Sequence, residues 1–276
     1  MWVVATPIGN LQDFSPRAKD VLARVAAILS EDTRSVRKLL SHFHIATRAQ
    51  AFHEHNELHE TPRVVARLLG GEDFALVSDA GTPLLADPGY RLVRACREEG
   101  IPVLAVPGPS AVAAAVSVAG LPPYPFTFAG FLSPRSGARQ RTLTELADLP
   151  HTLVVFLSPH RLANELADCS RTLGGQRQAV VLAELTKVHE RAATGTLEEL
   201  AAQAATTKPR GEYTLVVGPP VAHERLVAAT PGAARAALAV ALEEGNDLPA
   251  ARRAAARRLG ITRRQLYGLI EQADGE

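Results

Sequence analysis

Cysteine is almost absent: Cys96 and Cys169 are the only two in 276 residues. Each lies in a helix-like stretch with apolar neighbours, so two buried thiols are expected. A disulfide is the alternative, and a zinc site lacks ligands at the required spacing. Long apolar runs are missing too. The longest, such as Ala111 to Ala119, stop well short of the roughly 18–20 residues that span a bilayer. Nothing before Trp2-Val3-Val4-Ala5 resembles a basic leader with a cleavage site, so export is not expected and a cytoplasmic location is. Lysine is scarce, at four of 30 basic residues, and methionine occurs only at position 1. That bias reflects genome composition or a heat-adapted host, and the residues do not separate the two. No loop reads G-x-G-x-x-G or G-x-x-x-x-G-K-[ST], which disfavours a nicotinamide dehydrogenase and a P-loop nucleotidase.

What is present is ordinary for a soluble globular protein, 46% hydrophobic and 21% charged. The length is generous for one domain and comfortable for two. Short β-branched runs alternate with helical patterns, the signature of an α/β fold with a mostly parallel sheet. Strands are expected at Trp2 to Thr6, Ala26 to Ser30, Phe74 to Ser78 and Pro102 to Val106. After the Gly- and Pro-rich stretch Gly120 to Pro125 the alternation restarts, with strands at Phe126 to Ala129, Leu153 to Leu157, Ala179 to Ala183 and Tyr213 to Gly218. A second break falls near Gly218-Pro219-Pro220, and the remainder reads as helices. The expected domains are therefore 1–119 and 120–220, both α/β, and a basic helical tail over 230–276.

Three loops of the first half share one design, an apolar strand running directly into Gly and Pro. They are Thr6-Pro7-Ile8-Gly9-Asn10-Leu11, Ser78-Asp79-Ala80-Gly81-Thr82-Pro83 and Pro107-Gly108-Pro109-Ser110-Ala111. Ligands of open α/β sheets bind beyond the carboxyl ends of strands, where such loops gather. Tight strand-to-helix turns, needed in any α/β protein, are the bland explanation of each loop taken singly.

The ordered set formed by these loops with Glu31-Asp32-Thr33-Arg34, His53-Glu54-His55-Asn56, Asp87-Pro88-Gly89-Tyr90, Gly130-Phe131-Leu132, His160-Arg161, Glu184-Leu185-Thr186-Lys187 and Gly211-Glu212 resembles the tetrapyrrole methylase superfamily. Within it the pattern is similar to the branch that methylates a cytidine 2′-oxygen in 16S rRNA of the small ribosomal subunit. The resemblance implies a two-domain fold whose cleft holds S-adenosylmethionine, and a homodimer, with no metal. It places the cofactor against Pro7, Ser78, Asp79, Ala80, Gly81, Thr82, Pro83, Ser110 and Ala111, with Phe156, Leu157 and Ala183 to Leu185 as the opposite wall. Two positions depart from the pattern. Leu157 stands where relatives commonly carry Glu, and Ala183 where they carry Arg, so polar groups are expected to be missing from the second-domain side of the cleft. A methylase of tetrapyrrole or corrinoid precursors and a non-catalytic RNA-binding relative are the competing readings.

A ribose hydroxyl is a poor nucleophile at neutral pH, so a general base or a helpful cation is expected. Asp32, His53, His55 and Lys187 are the candidates. Arg34 would pair an RNA phosphate, although Glu31 and Asp32 also suit a plain helix N-terminus capped by Ser30. His53 and His55 are two apart and would share a face of a strand, a spacing that does not match the helical zinc motif. Between Pro249 and Ile270 stand Arg252, Arg253, Arg257, Arg258, Arg263 and Arg264 with no acid between them. Gly260 ends one helical segment and Thr262-Arg263-Arg264-Gln265 reads as a capping box opening the next. This unit suits phosphate contacts, with a solvated helix face as the plain alternative.

Overall fold

The computed structural model describes residues 1–206, 208–220, 230–244, 247–259, 261 and 263–274. It divides into two compact units, 1–219 and 220–276.

The first unit holds two five-stranded sheets. The first has the order β3-β2-β4-β1-β5 and is parallel throughout, from β1 (Trp2–Val4), β2 (Ala27–Ser30), β3 (Ala49–Ala51), β4 (Phe74–Val77) and β5 (Leu104–Val106). β2 and β4 are buried at every position, as continuous apolar strands covered on both faces should be. The crossing helices are α1 (Pro16–Arg24), α2 (Thr33–His42), α3 (Glu57–Leu69) and α4 (Tyr90–Glu98), and α5 (Ala111–Val118) leaves the sheet after β5. One face packs Val4, Val21, Leu22, Ile28 and Leu40 together, and the other packs Leu29, Phe52, Phe74, Leu76 and Leu92. α1 starts as its sequence dictates: Ser15 Oγ accepts from the Ala18 N–H at 3.1 Å and Pro16 occupies the first turn.

The second sheet departs from the parallel expectation. Its order is β6-β7-β10-β8-β9, from β6 (Phe126–Phe131), β7 (Thr152–Leu157), β8 (Gln178–Ala183), β9 (Arg191–Thr196) and β10 (Tyr213–Val217). Only the β6–β7 pair is parallel. β8 turns back into β9 across residues 184–190, a connection too short for the helical crossover that parallel neighbours require. β10 then inserts between β7 and β8, antiparallel to both. α6 (Ser136–Ala147), α7 (Leu162–Leu173) and α8 (Leu197–Thr206) complete this half. The two faces of the sheet are sorted by alternation. Leu153, Val155, Leu157, Ala179, Val181, Ala183, Tyr213 and Leu215 point into the core made with α7 and α8. Val180, Leu182 and Val216 point the other way and pack with Ile8 and with Ala115 of α5. Cys96 and Cys169 are free and buried, and burial pushes the Cys169 thiol up to about 12.

The second unit contains α9 (Pro231–Glu243), α10 (Leu248–Arg258) and α11 (Arg263–Asp274). Ala234, Ala255, Ala256 and Leu266 form its small core. The expected breaks at Gly260 and Thr262 lie outside the described residues. Among the described residues, no helix is long and apolar enough to cross a membrane.

Candidate active site

The carboxyl ends of β1, β4 and β5 deliver the three Gly/Pro loops to one place, and backbone pairing stitches them together. Thr6 N donates to Gly81 O at 2.9 Å and Gly81 N returns a bond to Thr6 O at 3.1 Å. Thr6 Oγ1 donates to Ser78 O, Ser78 Oγ to Gly81 O and Thr82 Oγ1 to Pro109 O, at 3.1, 2.9 and 3.0 Å. Ser110 Oγ caps α5 by accepting from Ala113 N. The hydroxyls of Ser78, Thr82 and Ser110 are therefore committed to shaping these loops.

A cavity of about 370 Å³ opens between the loops and the second sheet. All three loops reach it, through Ile8, through Asp79 and Ala80, and through Ala111. The opposite wall is Phe131, Phe156, Leu157, Pro159 and the strand start Gly211 to Thr214. Phe156 packs against Phe128 and Phe131 with ring centroids 4.9 and 5.2 Å apart, leaving Phe131 60% exposed. Leu185 lines a small adjoining recess with Ile8 and Ala111. Neither Pro7 nor Pro83 is among the residues lining the cavity, and Pro83 is buried.

Leu157 and Ala183 need a correction. In the antiparallel register both are Cα partners of Tyr213, so all three side chains share the face that packs on α7 and α8. Leu157 is 1% exposed and Ala183 3%. A polar side chain at either position would start from the face that packs on α7 and α8, although Leu157, at the strand end, also borders the cleft cavity. A separate cavity of about 220 Å³, lined by Ala183, Tyr213, Leu162, Leu166 and Arg191 among others, lies on that face.

Lys187 is fixed by Glu184 and Glu212, each 2.8 Å from its Nζ. Burial opposes its charge, but these two hydrogen bonds outweigh it and hold the ammonium above the usual lysine range. Both bonds favour the charged form of Lys187. The same Glu184 carboxylate accepts from Glu212 N at 2.9 Å, and its pKa lies below the usual carboxylate range, first through the bond from Lys187. Glu184 and Thr186 both sit at positive φ, 56° and 66°, a strained conformation for residues with side chains. Gly211 (φ +82°) approaches Glu184 so closely that a Cβ would overlap the carboxylate, and a Cβ on Gly9 would strike Lys187. Glycine at both positions lets this turn pack against the first Gly/Pro loop and the residues just before β10.

Asp32, and not Ser30, caps α2: its Oδ1 accepts from Arg34 N at 2.8 Å, while Ser30 Oγ donates to Asp32 O. Asp79 Oδ1 accepts from Asp32 N at 3.1 Å, which ties this turn to the cavity wall. Desolvation raises the Asp79 carboxyl above its ordinary value. Arg34 is exposed on α2. His53 and His55 lie on the turn before α3, not on a strand, with rings 6.0 Å apart. His55 is exposed and lines neither this cavity nor the next.

The residue that sequence reasoning passed over is Asp87. It lines the 370 Å³ cavity and also a neighbouring one of about 320 Å³, formed with Glu31, Glu54, Glu57, Ala86, Pro88, Gly89 and Tyr90. Burial, then the charges of Glu31 and Asp79, push its carboxyl up to about 6. No pattern in the chain announces this, because burial is the first cause and Glu31 is far from Asp87 in sequence. Phe131 and Glu212 were likewise visible only as parts of family strings, and Thr214 only as part of an expected strand.

In the second unit, the Arg252 guanidinium lies over the Tyr267 ring, 4.6 Å from its centroid, and hydrogen-bonds its hydroxyl. Arg253 and Arg264 are exposed. The side chains of Arg257, Arg258 and Arg263 lie outside the described residues.

Residues 1–201 match the family described as Tetrapyrrole (Corrin/Porphyrin) Methylases. The chain is 46% identical over 268 residues to the ribosomal RNA small subunit methyltransferase I of Xylella fastidiosa, covering 96% of this chain and 97% of that one. It is 41% identical to the protein of the same name from Synechocystis, over 100% and 99% of the two chains. Among solved structures, a diphthine synthase superposes with a TM-score of 0.63 at 15% identity, over 79% of this chain and 88% of that one, a likeness of fold alone. The chain belongs to the tetrapyrrole methylase family, in the group named ribosomal RNA small subunit methyltransferase I.

Proposed function

We propose that this protein transfers a methyl group from S-adenosylmethionine to the ribose 2′-oxygen of a cytidine in 16S rRNA, acting on the assembled small subunit as a cytoplasmic homodimer. The observation that carries the reading is similarity to ribosomal RNA small subunit methyltransferase I along nearly the whole chain. The family match stops at residue 201, so the arginine-bearing helices beyond it are not explained by the shared catalytic fold. A small tetrapyrrole substrate does not call for them, whereas RNA phosphates do.

The residues present fit the cofactor. When bound it supplies an electrophilic methyl on a sulfonium. The exposed ring of Phe131 with Phe156 behind it offers a face for adenine, and Ile8 and Ala111 give the opposite side apolar contact. Asp79 and Glu212 place negative charge around a cavity that would hold a cationic ligand. Ser78, Gly81, Thr82, Pro83, Ser110 and Pro7 contribute by holding the loops in position, and Leu185 by closing the adjoining recess. Methyl transfer is an in-line displacement, so positioning by this rigid loop set supplies much of the rate, up to roughly 7–11 kcal/mol in favourable systems. Lys187 acts as a fixed cation at the cavity's edge, and Arg34 with Arg252, Arg253, Arg257, Arg258, Arg263 and Arg264 engages RNA phosphates.

Residues 1–119 and 120–220 work as the two walls of the cleft and 230–276 as the RNA-docking module. The homodimer reading is supported by Leu104 on the edge strand β5 and Phe126 on the edge strand β6, with Val118 and Tyr124 between them in sequence. All four are exposed apolar side chains, of the kind a partner subunit covers.

The test offers purified protein and methyl-labelled cofactor three acceptors in parallel: unmethylated small subunits, naked 16S rRNA and a precorrin-type macrocycle. Label is expected in the RNA of the subunits. Label in the macrocycle alone would sink the reading.

A further inference from the structure

Two cavities meet at Ala86 and Asp87, and of these two only Asp87 carries a group that can take a proton. Asp87 lines the larger cavity assigned above to the cofactor and also its neighbour, whose other walls include Glu31, Glu54, Glu57 and Tyr90. Resting on the proposed function, we propose that Asp87 is the general base of the reaction, placed between a cofactor in the larger cavity and the acceptor ribose in the smaller one.

Four of the neighbouring carboxylates have other duties, and Glu31 and Glu54 line only the smaller cavity. Asp32 Oδ1 accepts from Arg34 N, Asp79 Oδ1 accepts from Asp32 N, and Glu57 Oε1 accepts from both Gly89 N and Arg91 N at 3.1 and 3.0 Å. Glu212 is paired with Lys187. Among the described residues no donor hydrogen-bonds Asp87, so its oxygens remain available to an incoming hydroxyl. The groups that face it are Glu31 and Asp79, with Glu54, Glu57 and Tyr90 around the smaller cavity and Glu212 across the larger one. All the carboxylates among them oppose a second negative charge, which makes Asp87 a better proton acceptor than an ordinary aspartate. Its side chain is half-buried, and the loop on its N-terminal side adopts positive φ at Leu84 (71°) and Ala86 (75°).

The smaller cavity suits a nucleoside more than a phosphate. Its carboxylates repel an anion but can accept from ribose hydroxyls, and Tyr90, 67% exposed, presents an aromatic ring on which a splayed base can stack. Cationic Arg34 lies outside it, on the helix that follows Asp32.

In the step itself, the 2′-oxygen forms its bond to the methyl carbon while the carbon–sulfur bond breaks and sulfur keeps the electron pair. The hydroxyl proton passes to an Asp87 carboxylate oxygen. Water then removes that proton and restores the base.

The test compares wild type with Asp87→Asn and Asp87→Glu on unmethylated small subunits, alongside calorimetry with S-adenosylmethionine and with S-adenosylhomocysteine. Asp87→Asn is expected to lower kcat by about 10²–10⁴-fold, with both ligands bound nearly as in wild type. Wild-type kcat/KM should fall about tenfold per pH unit below roughly pH 6, and that limb should vanish in Asp87→Asn. Asp87→Glu, which keeps a carboxylate, should recover part of the rate with a displaced limb. Should Asp87→Asn fold poorly, the displaced limb of Asp87→Glu decides, and an unshifted limb overturns the proposal. It is also overturned if Asp87→Asn keeps its rate, or if the loss is confined to affinity for the sulfonium ligand and spares S-adenosylhomocysteine, which would make Asp87 a cofactor clamp. A wild type that labels no RNA defeats the functional reading itself, and the base assignment falls with it.

Discussion

Asp79 Oδ1 accepts a hydrogen bond from the Asp32 backbone N–H at 3.1 Å. Forty-seven residues separate the two, and this bond joins the second Gly/Pro loop to the start of α2. It makes Asp79 a tether as well as a wall of the cavity. A hydrogen bond to a charged acceptor contributes about 1.5–3 kcal/mol, and this one is exposed, so the lower end applies. Asp79→Ala should therefore weaken S-adenosylmethionine binding roughly tenfold. Asp79→Asn keeps an acceptor oxygen but loses the charge, so it should weaken binding less than Asp79→Ala does. Equal losses in the two variants by calorimetry would assign the effect to charge and not to the tether.

Leu157 and Ala183 flank Tyr213 in register, on the face that packs on α7 and α8. They stand two strand spacings apart, roughly 10 Å, within joint reach of a Glu and an Arg side chain. Leu157→Glu alone buries an unpaired carboxylate and should destabilise the protein by about 3 kcal/mol or more. Ala183→Arg has the 220 Å³ cavity to enter and should be tolerated better. Combined, the two should recover stability, with a coupling of about 0.5–3 kcal/mol. Strict additivity in denaturant melts contradicts this pairing. Cofactor affinity should change little in Ala183→Arg, since Ala183 does not line the cofactor cavity.

These two positions show what the sequence did and did not disclose. β2, β4, β7, β8 and β10 are legible as apolar β-branched runs because nearly all their positions are buried. β3, with the sequence Ala-Gln-Ala, and β9, with Arg-Ala-Ala-Thr-Gly-Thr, are edge strands without an apolar signature, and no residue of β9 is fully buried. Missing β9 hid the β8–β9 hairpin, and with it the antiparallel sense of the sheet. Strand direction then decides which face Leu157 and Ala183 share with Tyr213. The Gly/Pro loops were readable one by one, since local backbone demands are written locally. Asp87 was not, because its environment is assembled from Glu31, Asp79 and two cavities.

The raised Asp87 carboxyl has a consequence for stability. Its folded value, about 6, lies above the ordinary 3.8, so the folded protein binds more protons than the unfolded chain between those pH values. Stability therefore falls as pH rises through that window, and above it the ionised group opposes folding. Asp87→Asn should melt higher than wild type at about pH 7.5. The advantage should shrink below about pH 6 and vanish near the ordinary carboxylate value. An advantage independent of pH, by scanning calorimetry, would contradict the assignment.

Arg253 and Arg264 are exposed on α10 and α11. If they meet phosphates, Arg253→Ala with Arg264→Ala should weaken small-subunit binding and flatten its dependence on salt. The slope of log affinity against log salt should drop by about 0.7–0.9 for each phosphate no longer neutralised. Cofactor affinity should be unaffected. An unaltered salt slope in filter binding would remove these residues from the RNA interface.

The central claim is the chemistry of the acceptor. Unmethylated small subunits incubated with this protein and S-adenosylmethionine, then digested to nucleosides and resolved by mass spectrometry, give the direct answer. The account predicts one new 2′-O-methylcytidine per 16S rRNA, absent when the cofactor is omitted. A methyl group on a base, or no new methylated nucleoside, would contradict it.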